Sequence, residues 1–104
     1  MTKALLAYTT ISDGEEARKL AHLLLTERII ACANILPPHQ AIYRDDEDIH
    51  EGFEVGLLLK LLPDQETSLR AAIAKYHPYD IPAFLVWDAQ TTTQFHEFLK
   101  TSCG

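Results

Sequence analysis

Apolar and polar positions along the chain change period several times, and each change marks an element. Lys3 to Thr10 is apolar with β-type residues toward its end, then meets the turn cluster Ser12-Asp13-Gly14, so it reads as a buried first strand. Ala17, Leu20, Ala21 and Leu24 recur at helical spacing and predict a helix from about residue 13 to residue 28. Ser12 and Glu15 fit a capping box at its start, and Glu15-Glu16 suits the positive end of the helix dipole.

From Ile29 to Asn34 the residues turn β-branched and small, which predicts a second strand. Pro37-Pro38 interrupts it with a bend, bulge or edge portion, because a proline pair cannot sit in a central ladder, and Ala41-Ile42-Tyr43 resumes it. The run Arg44-Asp45-Asp46-Glu47-Asp48 predicts a solvated hairpin tip, since it lacks the alternating ligands and glycine of a calcium loop. Phe53, Val55, Leu57 and Leu59 then alternate with Glu54, Gly56, Leu58 and Lys60, the period of a third strand. Glu54 and Lys60 share an otherwise apolar face, so they are either paired or at an interface, or lie at strand ends that reach water.

Pro63-Asp64 opens a second helix with the stripe Leu69, Ala72, Ile73 and Tyr76. It must stop at His77, because Pro78 and Pro82 push the residues before them toward extended geometry. Ala83 to Asp88 is the last strand, and Thr91 with Gln94 suggests a capping box for a terminal helix carrying Phe95, Phe98 and Leu99 on one face. The order β-α-β-β-α-β plus a terminal helix predicts an α+β fold, a ferredoxin-like sandwich with both helices on one face of an antiparallel sheet, forming a single domain over residues 1–104. Strands 2 and 3 come out at about 12–15 residues against a usual five or six, and strands that overrun their own sheet call for a partner.

Composition adds exclusions. At 104 residues, 47% hydrophobic and 23% charged, the chain has enough apolar material for a core of its own. Its apolar runs are too short to span a bilayer and no signal-peptide pattern leads it, which predicts a protein without membrane contact that is cytoplasmic, or imported with its presequence missing here. A net charge of −6, with the cations scattered, opposes a nucleic-acid partner. Cys32 and Cys103 have no metal-ligand spacing and read as a buried apolar thiol and an exposed tail thiol. No nucleophile elbow, phosphate loop or zinc-protease motif appears, so no catalytic residues are assigned. The residues left with chemical content are His77, Tyr79, Asp80, Glu54, Lys60, Tyr43 and Cys32. His77 is the candidate metal ligand, although one imidazole needs further donors assembled across the fold or across subunits.

Glu27-Arg28-Ile29-Ile30-Ala31-Cys32-Ala33-Asn34-Ile35, then Tyr43, then Glu54 with Lys60, then His77-Pro78-Tyr79-Asp80-Ile81-Pro82, resembles the divalent-cation tolerance (CutA) family. The resemblance covers nearly the whole chain, from Leu5 to about Leu99, in order and spacing. It implies a cytoplasmic homotrimer, PII-like in architecture, whose long second and third strands pair with neighbours. It places Cys32, Asn34, Tyr43, Glu54, Lys60, His77 and Tyr79 in a cleft between subunits, with response to or weak binding of a divalent cation such as Cu2+ and no catalysis. The chain departs from that pattern at the acidic tip, at Leu61 after Lys60, at Phe98, and at Tyr8 and Ala83. The alternative is a PII-like regulatory module binding a small anionic metabolite, with Lys60 and Arg44 as counter-charges, and the third reading is an acid–base enzyme using Glu54, Lys60 and His77.

Overall fold

The computed structural model describes residues 2–104. Strand β1 (Thr2–Ile11) alternates as expected: Leu5, Ala7, Thr9 and Ile11 are buried, while Leu6, Tyr8 and Thr10 are half-buried on the other face. Helix α1 (Gly14–Thr26) follows, with Ala17, Leu20, Ala21 and Leu24 as its buried stripe. Its cap lies one residue later than the predicted box. Asp13, in extended geometry, accepts the Glu16 N–H at 2.9 Å, a bond Ser12 is too far back along the chain to make.

The exit from α1 corrects the predicted start of the second strand. The Ile29 N–H bonds to Leu24 O and the Arg28 N–H to Leu25 O, with Arg28 in the left-handed region at φ 60°, which is a Schellman ending. Residues 29–31 therefore form the turn out of the helix. Ile29, Ile30 and Ala31 are apolar because they are buried in the core, and β2 (Cys32–Ile35) starts only after them.

Strand β3 (His39–Asp45) continues beyond the proline pair. Both β2 and β3 pair with β4 (Asp48–Leu61), but Leu36–Pro38 stand opposite only Val55 and Gly56, so the prolines sit in a bulge with one extra residue. Asp46-Glu47 turns the β3–β4 hairpin with Asp46 at φ 56°, and the acidic tip is exposed as predicted.

A 3-10 turn (Pro63–Gln65) leads into α2 (Glu66–Tyr76), which ends at an extended His77. Strand β5 (Phe84–Thr91) pairs with β1, and α3 (Thr93–Ser102) is capped by Thr92 accepting the Phe95 N–H. The predicted cap at Thr91 is displaced by one because Thr91 is still paired with Thr2 in the sheet.

The antiparallel sheet has the order β2-β4-β1-β5, with β3 extending the β4 pairing, which is the predicted ferredoxin-like arrangement. The core lies on one face: Leu57, Leu59 and Leu61 of β4 and the odd positions of β1 meet the stripes of α1 and α2. Fully burying a leucine such as Leu24, Leu59 or Leu69 contributes about 1.5–3 kcal/mol each. The hairpin projects beyond this core and gives the molecule extents of 46 × 25 × 23 Å. The cysteine expectation is reversed. Cys103 is buried and Cys32 half-buried, because the tail folds back: Gly104 N–H bonds to Arg28 O at 2.7 Å, and the Arg28 guanidinium donates to the carbonyls of Thr101 and Gly104. No helix among the described residues is long and apolar enough to cross a membrane.

Candidate functional site

The two prolines of the 77–82 loop hold it across the end of β1, and side-chain bonds fasten it there. The Tyr79 N–H donates to His77 Nδ1 at 3.1 Å, which makes Nδ1 an acceptor and leaves the proton on Nε2. Nε2 then donates to the Thr10 carbonyl at 2.9 Å. His77 is 7% exposed and packs edge-on against the Tyr79 ring, 4.8 Å between centroids. Both ring nitrogens are spent inside the fold. In this geometry the His77 ring, named as the candidate metal ligand, is held by two hydrogen bonds within the fold and serves as the bolt of the loop.

Tyr79 carries the connection onward. Its hydroxyl donates to Glu54 Oε2 at 2.9 Å, joining the loop to β4. Burial, then the hydrogen bond to Glu54 and the charge of that carboxylate, push the phenol up to about 12, so it stays neutral and a donor through the physiological range. Beside this pair lies an open groove of about 460 Å3, lined by Thr10, Ala41, Tyr43, Glu54, Tyr79 and Ile81 among others. Tyr43 also stacks on His50 at 5.6 Å further along the hairpin.

The remaining candidates stand elsewhere. Cys32 and Leu6 flank Lys60 in the ladder, and Trp87 is next in the same row beyond Leu6. The Lys60 ammonium lies 5.9 Å from the centre of the Phe95 ring, and the Cys32 thiol is 4.0 Å from Asn34 Oδ1. Glu54 and Lys60 do share the face opposite α1 and α2, as their alternation predicts, but six residues of strand put about 20 Å between them. One chain therefore brings together Glu54, His77, Tyr79 and Tyr43 at one end of this face, and Cys32, Asn34 and Lys60 at the other. Asp80 is exposed and joins neither group.

Sequence reasoning missed Thr10, whose contribution is a backbone carbonyl that any residue would supply, and the row of Leu6, Trp87 and Phe95 around Lys60. Only the strand register, which no local pattern carries, could have found that row. Among the described residues no three His, Cys, Asp or Glu side chains are grouped to hold a metal ion.

Comparison with known proteins bears on the fold and the family. Residues 5–102 match the family of the CutA1 divalent ion tolerance protein. The divalent-cation tolerance protein CutA of Pyrococcus horikoshii is 41% identical over 96 residues, covering 92% of this chain and 91% of that protein. The CutA of Thermococcus kodakarensis is 42% identical over 80 residues, covering 77% of this chain and 76% of its own. The crystal structure of CutA1 from Ehrlichia chaffeensis superposes with a TM-score of 0.92 at 30% identity, over 98% of this chain and 96% of that one. The order of elements and the match over nearly the whole length lead to one conclusion: the chain belongs to the CutA1 divalent-ion tolerance family.

Proposed function

We propose that the protein acts in the tolerance of divalent cations as a cytoplasmic homotrimer without catalytic activity, holding metal ions such as Cu2+ weakly at surfaces between subunits or at the acidic hairpin tips. The observation that carries the oligomer is the uncovered hairpin. Ile42 and Ile49 are 64% exposed and Phe53 72%, all on one face of the β3–β4 ribbon, an apolar stripe of the kind that monomers seldom leave open. Among the described residues the outer edges of β3 and β5 also have no strand beside them.

The metal part rests on the family and on donors that one chain leaves dispersed. Cys32 with Asn34 lies at one end of the sheet, and His50 stands 4.0 Å from Asp45 at the tip. The regulatory-module reading, an anion held by Lys60 and Arg44, is not favoured: Arg44 pairs with Ile49 near the tip, eleven residues of β4 away from Lys60. Sedimentation velocity at micromolar concentration is expected to show a trimer, and a monomer would overturn the assembly. Calorimetric titration of metal-free protein with Cu(II) is expected to release heat of weak binding, and a flat titration removes the metal.

A further inference from the structure

The far end of α3 is held by few contacts, and they converge on one residue. The Arg28 guanidinium donates from Nη2 to Thr101 O at 2.8 Å and from Nε to Gly104 O at 3.2 Å, and both bonds are open to solvent. The Gly104 N–H donates back to Arg28 O at 2.7 Å. Two left-handed residues thus face each other, Arg28 at φ 60° and Gly104 at φ 92°. Only one side chain of this segment is buried, Cys103 at 5%, while Thr101 and Gly104 are exposed and Ser102 is half-buried. The last backbone bond of the helix runs from the Cys103 N–H to Leu99 O, and Cys103 itself is already extended.

Upstream, Leu99 is fully buried and Phe95 packs against the core, so the body of α3 stays anchored when the segment after it lets go. One thiol and a few solvent-open bonds are little beside the buried leucines of α1, α2 and β4, and segments held so thinly open well before the whole molecule unfolds. We infer that residues 101–104 are a strap that opens and closes as a unit while the core stays folded, hinged after Lys100 and latched by Arg28. Opening brings the Cys103 thiol to solvent and frees the corner from which β2 starts, because residues 29–31 lead from Arg28 directly into Cys32. In the closed strap the thiol is silent. It is covered, and burial pushes it up, against a backbone hydrogen bond at Leu62 that pulls it down.

Pulsed alkylation with iodoacetamide tests the strap in the whole protein, with mass spectrometry separating Cys103 from Cys32. In the wild type, Cys103 labelling is expected to be proportional to reagent and insensitive to urea below the unfolding transition, the mark of an opening that exposes little surface. Arg28→Ala and Arg28→Gly are expected to speed it equally, about 5-fold each, the effect of one net hydrogen bond. They are equal because the turn at Arg28 keeps its own bonds to α1 when the strap opens. A faster rate in Arg28→Ala than in Arg28→Gly would place the effect in backbone strain and remove Arg28 as the latch. Gly104→Ala, strained at φ 92° in the closed strap alone, is expected to speed labelling about 5- to 30-fold. Once alkylated, Cys103 no longer fits its site, and the Gly104 amide is expected to lose hydrogen-exchange protection while the amides of β4 keep theirs. Labelling that follows urea as global unfolding does, that is equal in wild type and all three variants, or that leaves the Gly104 amide protected overturns the strap. The urea dependence of the wild type needs no variant, so a variant that fails to fold leaves the test standing.

Discussion

The Tyr79 hydroxyl donates to Glu54 Oε2 at 2.9 Å, and this bond is the side-chain tie between the proline-flanked loop and the long strand β4. The donor must keep its proton for the tie to exist. With the folded phenol at about 12 against the ordinary 10.0, the folded state holds this proton more tightly than the unfolded chain does. The stabilisation is therefore complete below pH 10 and is lost as pH rises through the window from 10 to about 12. Absorbance titration at the tyrosinate band is expected to show one tyrosine ionising late, and Glu54→Gln is expected to bring it earlier. A titration that Glu54→Gln leaves unchanged would place the cause in burial alone.

His77 predicts a stability effect in place of a metal effect. Its removal leaves a half-buried N–H at Tyr79 without its acceptor and the Thr10 carbonyl without its donor. His77→Ala is expected to cost about 2–4 kcal/mol in urea unfolding, from the lost bonds and the space vacated. The heat of Cu(II) binding per folded subunit is expected to stay as in the wild type. Loss of that heat in folded protein would return His77 to the metal site.

Gly56 is where the open face comes closest to itself. A Cβ there would meet Tyr8 Oη at 3.0 Å, Tyr8 Cε1 at 3.1 Å and Leu36 Cδ1 at 3.2 Å, so glycine allows the phenol ring to lie across β4. Gly56→Ala is expected to destabilise by about 1–3 kcal/mol through overpacking. Adding Tyr8→Leu should recover part of it, and the chemical-denaturation midpoints of the single and double variants measure the coupling.

Arg28 combines strain with a clasp. Its left-handed backbone costs a non-glycine residue about 1–2 kcal/mol, and its guanidinium offsets this by holding the carbonyls of Thr101 and Gly104. Arg28→Ala keeps the strain and loses the clasp, with an expected loss of about 1 kcal/mol. Arg28→Gly loses the clasp and relieves the strain, so its unfolding midpoint should lie closer to wild type. Equal midpoints for the two variants would mean that the backbone is not strained.

By itself the sequence determined the order of elements, because period-two and helical spacing are local properties. Leu57 and Leu59 of β4 and Ala17 to Leu24 of α1 face the core as their alternation requires. Pro78 ended α2 for a reason contained in its own ring. Capping residues were found to within one position: Asp13 caps in place of Ser12, which lies too far back along the chain, and Thr92 in place of Thr91, which is still paired in the sheet. The buried run Ile29–Ala31 looked like a strand because β-branched residues suit any core, and only the left-handed turn at Arg28 decided otherwise. Tertiary structure alone decided the chemistry. It spent both nitrogens of His77 on a carbonyl and an amide that no motif marks, and it buried Cys103 by folding the tail onto Arg28. It also set Glu54 and Lys60 on one face yet out of mutual reach, since alternation fixes the side on which a strand residue lies, while register and strand length fix what it can touch.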